Sequence, residues 1–193
     1  MRNGRYVVGI DFDGTLTNLD GVFKKHFPIG GLIAEIIENI VFFVADVLGL
    51  GQHFSKKILD DGIQLNEGLK ELIKELQEND VDVVVVTANK NIKEIKEILA
   101  KNGLELEVLY SKRGGKNGFK FIDILLDDSY SEINEKVKVL WEGRHNSILA
   151  RLLKLAGRDV AASPEEFKEI LRKDMEKKAV NVKINTYPQK QTI

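Results

Sequence analysis

The chain has no cysteine, so neither a disulfide framework nor a thiolate metal site is available to it. Histidine is almost as scarce. His26, His53 and His145 are far apart and form no ligand pattern. Neither charge sign dominates: 29 basic residues meet 30 acidic ones, a net charge of −1. No global electrostatic argument for nucleic-acid binding follows from that balance. Internal repeats and low-complexity tracts are absent. The first residues, Met1 to Arg5, are polar and carry no signal-peptide pattern, so a cytoplasmic location is the expectation. Low methionine and absent cysteine beside abundant lysine and glutamate are compatible with a thermophile.

What is present is an ordinary soluble balance, 43% hydrophobic and 31% charged over 193 residues. That length suits one well-buried domain plus an insert. Short β-branched runs alternate with helix-period segments, the pattern of a parallel α/β sheet flanked by helices. The strands are expected at Tyr6–Ile10, Val81–Val86, Leu106–Tyr110, Phe121–Leu126 and Val137–Trp141, with a short one at Asp159–Ala162. Val83 to Val86 is a continuous apolar run, as in a strand covered on both faces. Leu69, Leu72, Ile73 and Leu76 share a helix face; Ile92, Ile95, Ile98 and Leu99 share another, stopped by Gly103. Ser163-Pro164-Glu165-Glu166 reads as a cap, a first-turn proline and a capping-box glutamate. Phe167, Ile170, Leu171 and Met175 continue that helix, and the residues from Lys177 on are polar, an extension or a loose terminus.

One stretch breaks the rhythm. Residues 18–66 are too many for a strand-to-helix loop and read as a helical cap inserted after the first strand. The core is then 1–17 and 67–180, with 181–193 a polar tail. Within the insert, Leu32–Leu48 holds thirteen apolar residues in seventeen. The other four, Glu35, Glu38, Asn39 and Asp46, fall on one narrow stripe of a helix. A run this short with three acids is not expected to span a membrane. It suits a lid over the site or a homodimer interface.

The most informative residues lie where the first strand ends: Ile10-Asp11-Phe12-Asp13-Gly14-Thr15-Leu16-Thr17. The glycine turns the chain, placing Asp11 at the strand tip and Asp13 on the loop beside it. Later strands end in Val86-Thr87-Ala88-Asn89 and in Leu126-Asp127-Asp128-Ser129. Between them lies a basic, glycine-rich loop, Ser111 to Lys120. If the strands are parallel, all of these gather at one sheet edge, where ligands bind in open α/β folds. Carboxylates packed there would repel, and a hard divalent cation relieves that repulsion. An oxygen-only set suits Mg²⁺. Mg²⁺ with a lysine and a hydroxyl makes a phosphoryl-binding set.

These pieces resemble, in the right order, the four motifs of the haloacid dehalogenase-like phosphohydrolases. The resemblance spans about Tyr6 to Ala162 and implies a Rossmann-like α/β fold. It implies Asp11 as a nucleophile that forms an aspartyl-phosphate, and Asp13 as the acid and then the base. Thr87 would hold a phosphoryl oxygen, helped by the Ala88 N–H, with Asn89 reaching the substrate. Mg²⁺ would lie between Asp11, the Asp13 carbonyl, Asp127 and Asp128. The motif lysine is Lys116 or Lys112; glycines on either side of Lys116 favour it, and Lys120 is too close to the next strand. The expected activity is hydrolysis of a small phosphomonoester. Ile122 to Asp128 is similar to the matching stretch of 5′(3′)-deoxyribonucleotidase-like members, which suggests a nucleotide. The alternatives are a phosphomutase and a non-catalytic protein assembling through the apolar insert. A polynucleotide 3′-phosphatase would be expected to carry a basic, aromatic groove, and the insert is apolar instead.

Overall fold

The computed structural model describes residues 4–17, 63–112, 115–128, 138–142 and 147–185. Six parallel strands form one sheet: β1 (Val7–Asp11), β2 (Asp82–Thr87), β3 (Glu107–Tyr110), β4 (Ile124–Asp127), β5 (Lys138–Trp141) and β6 (Val160–Ala161). Their order is β3-β2-β1-β4-β5-β6. The chain builds outward from β1 to β3, then crosses to the other side of β1 to lay down β4. Its topological switch point is therefore at β1 and β4, and a crevice opens at their carboxyl ends.

Alternation along the strands divides the core. Val8 and Ile10, with Val83, Val85 and Leu126, face helices α1 (Glu67–Glu78), α2 (Ile92–Lys101) and α4 (Pro164–Asn185). These helices contribute Leu69, Ile73, Ile95, Leu99, Phe167 and Leu171 to the same cluster. The opposite face, Val7, Val84, Val86 and Leu125, has a different cover. Phe119, Phe121 and Ile122 from the β3–β4 connection pack on it. Gly9 permits this close approach, because a Cβ there would lie 3.1 Å from Ile122 and 3.0 Å from Leu125. A third cluster joins Leu140 and Val160 to Ala150 and Leu153 of α3 (Ser147–Leu155).

The helix ends follow local chemistry. The Asn66 side chain accepts the Leu69 N–H at 3.2 Å and caps α1. Gly103, with φ +73°, reverses the chain after α2, and its N–H donates to Ala100 O. At α4, Ser163 accepts the Glu166 N–H, and the Glu166 carboxylate accepts the Ala162 N–H.

Three sequence expectations need correction. Phe121 and Ile122 belong to the connection over the sheet, and β4 starts only at Ile124. α3 was not expected at all. The last helix does not give way at Lys177; it continues to Asn185. The expected insert lies outside the described residues up to 62. Its described end is tied to its start: Thr17 bridges Leu65, and the Asn66 N–H donates to Leu16 O at 2.8 Å. Thr17 and Leu65, which flank the stretch outside the described residues, are therefore neighbours.

Candidate active site

Asp11 ends β1 with 3% of its surface exposed. The chain then makes one wide turn, Phe12–Leu16, closed by the Thr17 N–H on Phe12 O at 3.0 Å. Thr17 fastens the turn from inside: its hydroxyl donates to Phe12 O at 2.9 Å and accepts the Gly14 N–H at 3.2 Å. Gly14 has φ +80°, and a Cβ there would lie 2.1 Å from Asp128 Oδ2. Glycine is therefore required twice, for its backbone conformation and for the space Asp128 occupies. The turn brings Asp13 beside β2, where Thr87 donates its hydroxyl proton to Asp13 Oδ2 at 3.2 Å. The Asn89 N–H in turn donates to Thr87 Oγ1 at 2.9 Å.

The structure places the candidate lysines differently. After β3 the Gly115 N–H donates to Lys112 O at 2.8 Å. A short 3-10 turn, Lys116–Gly118, follows and sends Lys116 inward. Its ammonium lies 2.5 Å from Asp11 Oδ1 and 2.8 Å from Asp127 Oδ2, and the residue is buried. Lys112 and Lys120 are exposed. Asp127 ends β4 fully buried, and Asp128 follows it.

Four carboxylates and one ammonium share this pocket among the described residues. Burial pushes Asp11 up, against the pull of Lys116, and the other three carboxylates add to the rise. Burial, then the neighbouring Asp127 charge, pushes Asp128 up to about 7. Burial also opposes the charge on Lys116, but Asp11 and Asp127 outweigh it and hold the ammonium above the usual lysine range. Like-charged carboxylates so close together raise one another's proton affinity. Carboxylate oxygens of Asp11, Asp127 and Asp128 lie within 4.8 Å of one another, close enough to share one cation. A hard, oxygen-only ligand set fits Mg²⁺.

The structure thus brings together Asp11, Asp13, Thr87, Lys116, Asp127 and Asp128, with Ala88 and Asn89 on the turn after β2. Trp141 packs in the core. Arg144, His145 and Asn146 lie outside the described residues. Two features escaped the sequence reading. One is the seat of Asp128 on Gly14, which only the fold creates. The other is Asn91, whose N–H and side-chain amide both donate to Asn89 Oδ1 at 3.0 Å. The Asn-x-Asn spacing ahead of a helix signals such a turn, although Asn91 reads more simply as a cap.

A parallel 3-2-1-4-5-6 sheet with a carboxylate-lined crevice at its switch point is a doubly wound α/β protein. The chain has the haloacid dehalogenase-like fold. Solved structures similar to it include a Thermotoga maritima protein assigned as a beta-phosphoglucomutase, at TM-score 0.51 and 11% identity, with 87% of this chain and 99% of that one aligned. Another is a haloacid dehalogenase-superfamily hydrolase from Ehrlichia chaffeensis, also at TM-score 0.51, with 13% identity over 88% of this chain and 97% of that one. No protein-family model matches the sequence, and no curated protein does. Among the described residues, no helix is long and apolar enough to cross a membrane.

Proposed function

We propose that the protein is a Mg²⁺-dependent phosphohydrolase of the haloacid dehalogenase-like superfamily, acting on a small phosphomonoester through an aspartyl-phosphate. The observation that carries this reading is the division of labour between two acids two residues apart. Lys116 grips Asp11 by Oδ1 at 2.5 Å, and Oδ2 would be the oxygen that attacks. Asp13 is held separately, by the Thr87 hydroxyl, and would serve the leaving group.

In the first step Asp11 attacks phosphorus. The bond to the leaving oxygen breaks, and that oxygen takes the proton of Asp13. In the second step Asp13, now a carboxylate, takes a proton from water. The water oxygen attacks phosphorus, the bond to Asp11 breaks, and inorganic phosphate leaves. Lys116 lies where it balances the charge gathered on the phosphoryl oxygens and on Asp11. Mg²⁺ held by Asp11, Asp127 and Asp128, with the Asp13 carbonyl, would neutralise the phosphoryl oxygens and let the carboxylates coexist. The similarity of Ile122 to Asp128 to nucleotidase-like sequences makes a nucleoside monophosphate the first substrate to try.

The test is Mg²⁺-dependent phosphate release from a panel of phosphomonoesters that includes nucleoside monophosphates and sugar phosphates. Release by the wild-type chain and its loss in Asp11→Asn are the expected results. Full activity in Asp11→Asn would overturn the covalent route. Transfer of phosphate to a sugar hydroxyl in place of release would identify a phosphomutase. A folded, Mg²⁺-binding protein inactive on the whole panel would favour an interaction role.

A further inference from the structure

The turn that carries Asp13 is clasped at one point. Asp13, at φ −80° and ψ 119°, and Gly14, at φ 80° and ψ −14°, are the two central residues of a type II turn. The Thr17 hydroxyl donates to Phe12 O at 2.9 Å and accepts the Gly14 N–H at 3.2 Å. Phe12 O belongs to the peptide before Asp13, and the Gly14 N–H to the peptide after it. One side chain, on a residue 2% exposed, thus holds both peptide groups that bracket the expected acid. Its single proton is committed to Phe12 O, so a lone pair is what faces Gly14.

Peptide planarity makes the second bond decisive. The N–H and C=O of a trans peptide point opposite ways, so the Asp13 carbonyl is turned from Thr17. A Cβ on a residue with φ near +80° crowds the carbonyl oxygen of the residue before it. At Gly14 that same Cβ would lie 2.1 Å from Asp128 Oδ2. The Asp13 carbonyl and the Asp128 carboxylate therefore flank one small space, two oxygen acceptors side by side. Rotating the Asp13–Gly14 peptide by half a turn gives a type I turn, which glycine also accepts, and takes the carbonyl away from Asp128. In that turn the Gly14 N–H no longer reaches Thr17.

We propose that Thr17 is a positioning residue for the cation site: its hydroxyl locks the Asp13–Gly14 peptide, so that the Asp13 carbonyl stays beside Asp128 as a ready oxygen ligand. This rests on the reading of the carboxylate pocket as the Mg²⁺ site of a phosphohydrolase. Thr17 itself supplies no ligand to the ion.

The test is calorimetric titration of the metal-free chain with MgCl₂, without substrate, for wild type, Thr17→Val and Thr17→Ser, alongside denaturant unfolding in chelator. Valine keeps the shape of threonine and the backbone bonds of residue 17, and puts a methyl where the hydroxyl was. The turn that serves the ion then leaves the Gly14 N–H against that methyl, and the rotated turn does not. Thr17→Val is expected to bind Mg²⁺ about 10-fold more weakly, the scale on which lost outer partners of metal ligands act. Thr17→Ser keeps the donor and the acceptor and should bind within about twofold of wild type. Wild-type affinity in Thr17→Val, even with lower stability in chelator, would overturn the proposal and leave the site reading intact. So would equal weakening in Thr17→Ser, which would place the effect in the methyl group. If Thr17→Val does not fold, a crystal structure of the wild-type chain grown in Mg²⁺ decides. The Asp13 carbonyl on the ion, with the Gly14 N–H on Thr17, is the expected result; a carbonyl turned from the ion overturns the proposal. Absence of Mg²⁺ binding by wild type would overturn the proposal and the site reading together.

Discussion

Lys116 is the residue on which the pocket balances. It places one positive charge between two buried carboxylates, at 2.5 and 2.8 Å. Removing one partner of a buried ionic group costs about 3–5 kcal/mol because the others are left uncompensated. Lys116→Met should therefore destabilise the metal-free protein by roughly that amount in urea denaturation. Phosphate release should fall by about 100-fold or more, as for other lost transition-state donors. Stability equal to wild type would mean that the carboxylates are already neutral without it. The sequence favoured Lys116, with glycines on both sides to let it turn inward, and left Lys112 as the alternative. Asp11, Asp13, Asp127 and Thr87 were legible for a related reason: each ends an apolar run, and parallel strands bring such ends together. Asp128 on Gly14 was not legible, since the contact spans two strands. Gly14→Ala introduces a side chain at φ +80° and 2.1 Å from Asp128 Oδ2. It should cost about 1–2 kcal/mol from the backbone alone. Phosphate release should fall with it, because the turn that carries Asp13 must shift.

At the scale of elements, the β3–β4 connection does work that a helix would ordinarily do. It covers the sheet face with Phe119, Phe121 and Ile122 while delivering Lys116 to the site. Its far end is fastened at Asp123. The Asp123 carboxylate accepts the Val7 N–H at 2.9 Å and pairs with Lys178 of α4 at 3.0 Å. Lys178 also pairs with Asp174 and lies over the Tyr6 ring. Asp123→Ala would leave the Val7 N–H without this acceptor. We expect it to cost about 1–3 kcal/mol in denaturant unfolding, the penalty of an unmet buried donor. Lys178→Met keeps that acceptor and should cost less. Equal losses would place the energy in the ion pair. The sequence did not separate this connection from β4, because Phe121 to Leu126 is apolar apart from Asp123 and reads as one strand. α3 carries a legible pattern that went unread: Ser147, Arg151 and Lys154 fall on one side of the helix and the leucines on the other. The segment is only nine residues long, and Leu152 and Leu155 are 58% and 85% exposed.

For the whole molecule, the site opposes the fold that carries it, and pH sets by how much. Asp11 and Asp128 have folded-state pKa values raised above those of the unfolded chain, Asp128 to about 7. A raised carboxyl contributes stability that is fully present below about pH 4 and is lost as pH climbs through the folded value. The metal-free protein should therefore become less stable between about pH 4 and pH 8, as those groups give up their protons inside the pocket. Mg²⁺ binds the ionised carboxylates and competes with those protons, so its stabilising effect should grow over the same interval. Thermal unfolding at a series of pH values, in chelator and in millimolar Mg²⁺, measures both slopes. The two curves should nearly coincide at pH 5 and separate by pH 8. Asp128→Asn should flatten the metal-free slope and shrink the Mg²⁺ shift together, because a single carboxyl supplies part of each. If the Mg²⁺ shift is the same at every pH, the cation binds elsewhere and the carboxylate cluster is not its site. If the shift grows with pH but survives in Asp128→Asn, Asp11 and Asp127 hold the ion without Asp128. The contact with Gly14 would then be Asp128's main role, that of buttressing the turn that presents Asp13.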